Sequence, residues 1–244
     1  RRCYGFFHPR LPGEPLIFVE VALLRELAGA IPPLLDEHAD AANLQKANTA
    51  IFYSISNTQT GLKGVSFGDS LIKRVVEELK REFPQLKTFA TLSPIPGFRA
   101  WVGKQAGELV DSMADKPRRA LERELGEPVS AETVLARLQT AEQVRALPEK
   151  SALRAWLLRA GARYLGRATT AGGRPQDAVA RFHLGNGARV ERLNWLGDPS
   201  AKGIRQSYGL MVNYLYDLGK LDKHRAQLAS GEIPVSGAVE SLQD

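Results

Sequence analysis

Cysteine is the residue that this sequence most clearly lacks: Cys3 is its only one in 244 residues. A single thiol excludes an intramolecular disulfide, argues against a cysteine-ligated metal site and fits a reducing compartment. The histidines are scattered without the spacing of zinc ligands, so we expect no metal and no other cofactor. They are His8, His38, His183 and His224.

Long apolar runs are absent as well. No stretch approaches the ~20 apolar residues that a membrane-spanning helix needs, and no signal-peptide pattern opens the chain. We therefore expect no membrane span and a cytoplasmic location. The first residue is Arg1 rather than methionine, and the segment after it is typical of the middle of a domain, so an N-terminal portion is expected to be missing.

Several catalytic and nucleotide-binding motifs are missing too. No Gly-Lys-Ser or Gly-Lys-Thr ending marks a Walker loop, and no G-x-G-x-x-G marks a dinucleotide site. No G-x-S-x-G elbow surrounds Ser93, so a serine-hydrolase triad has little support.

Positive charge is in moderate excess, since 33 lysines and arginines face 27 acidic residues and give a net charge of +6. This balance suits an anionic partner, such as a ligand with several phosphates, and equally suits a solvated basic surface. Nucleic acid would require basic residues clustered with aromatic ones. Here the basic residues alternate with glutamates, as in residues 73–82, which is typical of a solvated helix face. We therefore expect no nucleic-acid partner.

The hydrophobic pattern predicts an α+β protein. Strands are expected at residues 16–24, 50–56 and 88–93, where β-forming residues cluster, and a short helix at 28–37. A helix capped by Asp69 or Ser70 should end at Phe83-Pro84, because proline cannot continue it. A helical insertion is expected at about residues 104–165.

The last third of the chain is predicted to contain a hairpin followed by a helix. Residues 178–184 and 188–193 flank Gly185-Asn186-Gly187, and an Asn-Gly step between two alternating runs is a strong hairpin signal. This interpretation puts His183 inside a strand. Residues 204–218 have the pattern of an amphipathic helix, and the tail beyond them looks loosely tied.

Three features could carry chemistry. The loop from Lys63 to Asp69 joins a strand to a helix, where amides can meet an anion, although an ordinary turn explains it as well. Its glycines resemble, with a longer gap, the pyrophosphate loop of GNAT acyltransferases. Ser93 lies at a strand end before a double-proline turn, a position that suits either ligand binding or simple turn capping. His183 is either catalytic or a hydrogen-bonded structural residue.

Several blocks of sequence together resemble the malonyl-CoA decarboxylase family. They are residues 50–65 (AIFYSISNTQTGLKGV), 71–84 (LIKRVVEELKREFP), 92–98 (LSPIPGF), 182–188 (FHLGNGA), 193–195 (LNW) and 209–214 (GLMVNY), together with 11–16 (LPGEPL). The blocks keep the family's order and spacing from residue 11 to residue 216. The middle helical stretch and the tail match poorly.

The resemblance implies a GNAT-like mixed sheet flanked by helices. It implies a GNAT-like catalytic domain at residues 1–225, with the helical insertion at about 104–165, a C-terminal tail at 226–244, and no counterpart here of the family's N-terminal helical domain. It also implies cofactor-free conversion of malonyl-CoA to acetyl-CoA and carbon dioxide, in fatty acid metabolism. The expected partners are these two thioesters, and a homo-oligomer is left open.

By position, the family's catalytic residues fall on Ser93 and His183. Substrate binding falls on Lys63, Gly64, Val65, Ser66, Phe67, Gly68, Asp69, Ser54 and Tyr216. Some relatives carry an acidic residue in place of Ser66, so any role of that carboxylate cannot apply here. Loss of carbon dioxide leaves an enolate, which Ser93 would stabilise, and His183, titrating near neutrality, would protonate the α-carbon.

Two alternatives stay open. A GNAT acyltransferase would use the same loop to move an acetyl group from acetyl-CoA to an amine. A non-catalytic module would bind malonyl-CoA without turnover.

Overall fold

Strands and helices alternate along the chain in the computed structural model, which describes residues 1–36, 44–58 and 68–243. The strands are β1 (Arg2–His8), β2 (Leu11–Leu24), β3 (Thr49–Asn57), β4 (Thr88–Thr91), β5 (Ser93–Pro94), β6 (Arg189–Asn194) and β7 (Met211–Leu215). The helices are α1 (Pro32–Leu35), α2 (Gly68–Glu82), α3 (Phe98–Asp111), α4 (Asp115–Leu125), α5 (Ala131–Ala136), α6 (Ala141–Arg145), α7 (Ala152–Gly166), α8 (Ala178–Gly185), α9 (Ala201–Ser207), α10 (Leu221–Ala229) and α11 (Gly237–Glu240), with a 3₁₀ turn at Leu44–Lys46.

The chain divides into two compact units. The first comprises Arg1–Ser93, Phe182–Arg189 and Asn213–Pro234, and the second comprises Pro94–Arg181, Val190–Val212 and Val235–Asp244. The predicted division at residue 225 follows a different criterion, the extent of the family resemblance, and stays a prediction.

A mixed sheet forms the first unit, with strand order β1-β2-β3-β4-β7. The pairs are antiparallel except for β3 and β4, which run parallel. In β2, the alternate residues Val19 and Val21 are fully buried, as expected for a strand with one face on the core. The expectation of an α+β protein with a mixed sheet and helices is confirmed.

The parallel pair is connected through α2, as the sequence indicates. Val75, Val76 and Leu79 are buried on one side of this helix, while its charged residues face away. The helix ends at Glu82, just before Phe83-Pro84. The predicted strand at 50–56 is present as β3 with a small change of boundary, whereas the predicted strand at 88–93 is interrupted at Leu92 and divides into β4 and β5. In the described part of the predicted helix at 28–37, only Pro32–Leu35 is helical.

The predicted strand at 178–184 is wrong, because this segment is helix α8. The Asp177 carboxylate accepts hydrogen bonds from the backbone N–H groups of Val179 and Ala180 at 2.9 Å, which caps the first turn. The Asn-Gly step then ends the helix instead of turning a hairpin, since Gly187 adopts the left-handed conformation with φ +83°. Only the second predicted strand of the hairpin forms, as β6.

The predicted helix at 204–218 is also wrong in its second half. Helix α9 stops at Ser207 because Tyr208 and Gly209 both have positive φ, at 54° and 77°. Strand β7 follows, and its residues Val212, Asn213 and Tyr214 are all fully buried. A strand that is buried on both faces does not alternate in polarity, so its sequence is easily mistaken for a helix.

The second unit contains the predicted helical insertion. Helices α3 to α7 fill residues 98–166, so the insertion begins a few residues before the predicted position. Helix α5 starts with a capping box between Ser130 and Thr133, although the sequence pattern there fits the motif poorly. The rings of Trp101 and Tyr164 pack 5.1 Å apart between α3 and α7.

The tail is not loosely tied over the residues that the structure describes. The Gln243 amide donates to the Ala162 carbonyl at 3.1 Å, and the backbone N–H of Ser236 donates to the Val190 carbonyl at 2.8 Å. Gln243 is buried as a result. Within the described ranges, no helix is both long and apolar enough to cross a bilayer.

Gly187, in the turn after α8, provides a test of the fold. A Cβ atom on Gly187 would lie 2.7 Å from the Leu221 carbonyl oxygen, whereas Gly231 has a similar φ of +89° and open space around it. Gly231→Ala should lower the free energy of unfolding by about 1–2 kcal/mol, the cost of a left-handed alanine. Gly187→Ala should cost clearly more, because the backbone of α10 must also move. Equal losses in urea unfolding would contradict this account.

Candidate active site

A chain of buried polar side chains lies in the first unit where β4, β5, α8 and β7 come together. The Ser93 hydroxyl oxygen lies 3.2 Å from Nε2 of His183, and Nδ1 of the same ring lies 2.8 Å from the Tyr216 hydroxyl. The Thr91 and Ser93 hydroxyls are hydrogen-bonded at 2.8 Å. All four residues are at most 5% exposed. The structure thus joins the two predicted catalytic residues directly.

The sheet fixes the position of Ser93. Thr91 pairs with Phe52 across the parallel strands β4 and β3, and the backbone N–H of Leu92 donates to the Phe52 carbonyl at 3.0 Å. Ser93 and Ser54 each follow this pair by two residues, so both lie at the carboxyl edge of the parallel strands. Ligands of α/β sheets bind at such an edge. Ser54, a predicted substrate-binding residue, is half-buried there.

Helix α8 and strand β7 together hold the His183 ring. His183 lies in the last turn of α8, on the same helical face as the fully buried Ala180 and Leu184. Its ring stacks on Tyr214, with centroids 4.7 Å apart and an angle of 27° between the planes. With both nitrogens hydrogen-bonded and one face covered, the ring has a single orientation.

Burial keeps His183 neutral. Removal of the ring from water lowers the pKa of His183 from 6.5 to about 3, because the charged form loses its hydration. The expectation that this histidine titrates near neutrality is therefore wrong for the free protein. A neutral imidazole has one N–H donor and one acceptor nitrogen, so it can take part in a hydrogen-bonded chain in either of two directions.

The two directions place different groups as donors. When Nε2 carries the hydrogen, it donates to Ser93, and Tyr216 donates to Nδ1. When Nδ1 carries the hydrogen, it donates to the Tyr216 oxygen, and Ser93 donates to Nε2. In the second arrangement the ring acts as a base toward the serine, and in the first the serine hydroxyl is free to donate elsewhere.

The structure describes only the last two residues of the predicted substrate-binding loop from Lys63 to Asp69. Lys63, Gly64, Val65, Ser66 and Phe67 lie outside the described residues, while Gly68 and Asp69 form the first turn of α2.

Thr91 and Tyr214 are site residues that the sequence interpretation missed. Thr91 precedes Ser93 by two, the spacing that puts two strand residues on one face, which is a signal that could have identified it. Tyr214 had been assigned to a helix.

The other histidines that the structure describes are His8 and His224. His8 is exposed, and His38 lies outside the described residues. His224 is buried, and its Nδ1 hydrogen-bonds to the Gly187 carbonyl at 2.9 Å. Among the described residues, no group of histidine, cysteine and acidic side chains has the arrangement of metal ligands.

Comparison with known proteins gives consistent similarities. A family model described as malonyl-CoA decarboxylase C-terminal domain matches residues 1–244. The mitochondrial malonyl-CoA decarboxylase of Mus musculus is 40% identical over 252 residues, covering 99% of this chain and 51% of that protein. That of Anser anser anser is 42% identical over 225 residues, covering 89% of this chain and 44% of that protein. The chain spans about half the length of the curated relatives it matches.

Solved structures give the same result. The malonyl-CoA decarboxylase from Cupriavidus metallidurans is 49% identical, with a TM-score of 0.85, over 99% of this chain and 58% of that one. The malonyl-CoA decarboxylase from Agrobacterium vitis is 48% identical, with a TM-score of 0.84, over 100% of this chain and 57% of that one.

The buried histidine predicts a loss of stability on mild acidification. The folded pKa of His183, about 3, lies below its ordinary value of 6.5. Between these values the unfolded chain binds a proton that the folded chain does not, so stability is complete above pH 6.5 and falls as the pH drops toward 3. From pH 7 to pH 5 this one residue accounts for about 2 kcal/mol.

Urea unfolding at the two pH values measures this contribution. His183→Gln removes the titrating ring, so its free energy of unfolding should fall less than that of the wild type over this interval, by about 2 kcal/mol. Phe7→Gln, at an exposed position of the edge strand β1, introduces the same residue without removing a titrating group; it is the matched control and should keep the wild-type pH dependence. The same fall in the wild type and in His183→Gln would refute the burial argument.

Proposed function

We propose, from the premise that this chain belongs to the malonyl-CoA decarboxylase family, that it converts malonyl-CoA to acetyl-CoA and carbon dioxide. Because the chain spans only about half of its curated relatives, their activity is carried over as a proposal. The observation that supports it most directly is the buried Ser93–His183 pair at the carboxyl edge of the sheet. A GNAT-like catalytic domain at residues 1–225 is part of the proposal.

The reaction defines what the site has to do. The bond between the carboxylate and the α-carbon breaks, carbon dioxide leaves, and the electron pair passes to the thioester as an enolate. One proton then adds to the α-carbon to give acetyl-CoA. The site must donate hydrogen bonds to the oxygen on which charge develops, and it must supply that proton.

Ser93 is proposed as the donor to the developing enolate. Its hydroxyl is fixed at the end of the sheet by Thr91 on one side and His183 on the other. A hydroxyl held in place before the reaction stabilises charge at no cost in reorganisation. Low exposure strengthens the interaction further, because little water competes for the enolate.

His183 is proposed as the proton source. In the free protein its low pKa keeps the ring neutral. A bound anion raises the pKa of an adjacent histidine, because opposite charge favours the protonated form. The ring would therefore take up its proton only with malonyl-CoA in place, while Tyr216 holds Nδ1 and keeps Nε2 directed toward Ser93.

The coenzyme A part of the substrate is proposed to lie along the loop from Lys63 to Asp69. The backbone of Gly68 and Asp69 starts the 15-residue helix α2, whose N-terminal N–H groups favour phosphate. Ser54, at the same edge as Ser93, is proposed to contact the acyl end of the substrate. A cytoplasmic location and a homo-oligomer stay predictions.

The first test is mass spectrometry of malonyl-CoA incubated with the chain and no acceptor. We expect acetyl-CoA and carbon dioxide. Ser93→Ala should lower kcat by ~10²–10³ and His183→Ala by ~10²–10⁴. Because both act on one transition state, the double variant should lose much less than the product of the two effects. Ser241→Ala, on an exposed turn, is the matched control and should have wild-type kcat.

Other outcomes of the same experiment would contradict the proposal. Acetylation of an added lysine peptide by acetyl-CoA would indicate an acyltransferase. Binding of malonyl-CoA without turnover would indicate a non-catalytic module. A folded His183→Ala protein with near wild-type decarboxylation would rule out the proposed mechanism.

A second test addresses the loop. A side chain at Gly64 should block the close approach of the backbone to the pyrophosphate, so Gly64→Val should raise KM more than it lowers kcat. Gly103→Val is the control, since an added Cβ at that position in α3 meets no neighbouring atom. Unchanged coenzyme A affinity in a folded Gly64→Val protein would exclude the loop as the binding site.

A further inference from the structure

Thr91 is hydrogen-bonded to Ser93 and to two residues of β7, Asn213 and Tyr214. It is the last residue of β4 and is fully buried. Its hydroxyl oxygen lies 2.8 Å from that of Ser93 and accepts a hydrogen bond from the backbone N–H of Tyr214 at 3.3 Å. The Thr91 hydroxyl therefore connects Ser93 to β7, the strand whose Tyr214 ring stacks on the His183 ring.

The backbone of Thr91 is held independently of its hydroxyl. Its carbonyl accepts a hydrogen bond of 2.8 Å from the Asn213 side-chain amide, which also donates to the Ala28 carbonyl at 3.0 Å. The pairing of Thr91 with Phe52 adds a second constraint. A substitution that removes only the hydroxyl would thus leave the strand in place.

The Ser93 side chain, in contrast to the Thr91 backbone, can rotate about its χ1 bond unless its hydroxyl is held by hydrogen bonds. A serine hydroxyl has three staggered positions about χ1, and only the position within reach of both Thr91 and Nε2 of His183 makes the observed contacts. Thr91 and Ser93 lie on either side of Leu92, at the end of β4 and the start of β5, and their hydroxyl oxygens meet at 2.8 Å. The Thr91 hydroxyl is also a donor and an acceptor, so it can pair with Ser93 in either direction of the hydrogen-bonded chain.

We propose that Thr91 is a positioning residue that acts through Ser93: its hydroxyl holds the serine oxygen at hydrogen-bond distance from His183 and completes the hydrogen-bonded chain in both of its directions. The kinetic part of this inference rests on the proposed function, since it concerns the same reaction. Thr91 itself touches no reacting atom.

Thr91→Val removes the hydroxyl and keeps the branched shape. Loss of a group that orients a reactive residue typically costs ~10–100-fold in activity, as it does around metal sites. We expect kcat for malonyl-CoA to fall by this amount with KM nearly unchanged, because the coenzyme A contacts are elsewhere. Thr91→Ser retains the hydroxyl, so its kcat should lie within about threefold of the wild-type value, a smaller loss than that expected for Thr91→Val.

The matched control is Thr49→Val. Thr49 is a buried threonine at the opposite end of the same parallel pair, where its hydroxyl contacts Asn48. It should have wild-type kcat even if its thermal stability falls. In a Ser93→Ala background, Thr91→Val should have no further effect on kcat, because the residue through which it acts is gone.

A readout that needs no turnover separates this proposal from the proposed function. Nitrogen-15 spectra of the histidine rings report which nitrogen carries the hydrogen, and the His183 signal is the one missing in His183→Gln. Thr91→Val should shift the Nε2 resonance of His183, whereas Thr91→Ser and Thr49→Val should not. If the wild type fails to decarboxylate malonyl-CoA, the proposed function falls, and this spectrum alone decides the role of Thr91.

Three results would overturn the positioning role. The first is wild-type kcat in a Thr91→Val protein that has only lost thermal stability. The second is failure of Thr91→Ser to restore kcat, which would assign the effect to the methyl group. The third, for a wild type that is active or inactive, is an unchanged His183 spectrum in folded Thr91→Val.

Discussion

The removal of one imidazole ring from water is the constraint on which this site depends. A buried histidine can stay neutral at little cost, but its two nitrogens must still find hydrogen-bond partners, because an unpaired buried polar atom costs about 1–3 kcal/mol. Tyr216 provides one partner and Ser93 the other. Any fold that buries His183 here must therefore bring residues at the ends of two separate strands to the same ring.

The mixed sheet makes this meeting possible. Parallel β3 and β4 end at one edge, which places Ser93 there, while antiparallel β7 runs alongside β4 and delivers Tyr214 and Tyr216. The bond from the Tyr216 N–H to the Phe89 carbonyl, at 2.8 Å, fixes how far β7 extends past β4. The positions of the serine and the tyrosine are thus set by backbone hydrogen bonds, and side-chain packing needs to supply only the last adjustment.

The sequence predicts the parts of this arrangement that depend on local patterns. The β3-α2-β4 segment has strong signals, because its strands are apolar and its helix has one apolar side and a proline just past its end. The sequence interpretation misassigned helix α8 and strand β7, because capping and burial by other parts of the chain, rather than local sequence preference, determine the conformation of these two segments. Ala178–Leu184 alternates enough to suggest a strand, but the Asp177 cap and burial of Ala180, His183 and Leu184 favour a helix. Burial on both faces removes the polarity pattern of β7.

The pairing of Ser93 with His183 could be anticipated only through resemblance to a family, since 90 residues separate them in the chain. The pKa of His183 could not be anticipated at all, because it depends on how completely other residues exclude water from the ring. Residue type alone suggests a group that titrates near neutrality, and the fold changes that to a group that stays neutral. The pKa of a histidine therefore depends more on how completely the fold excludes water from its ring than on the sequence motif in which it lies.

The burial of His183 is compatible both with the stability of the free protein and with the proposed reaction. At neutral pH the neutral His183 ring avoids the large penalty of burying an unpaired ion, and both of its nitrogens are hydrogen-bonded within the chain. Under the proposed mechanism, His183 takes up a proton when a negative charge enters the site. In the proposed reaction that charge arrives with the substrate, so the acid forms where and when it is needed. The cost of protonating a buried ring is then offset by substrate binding, and the folded protein carries none of it at rest.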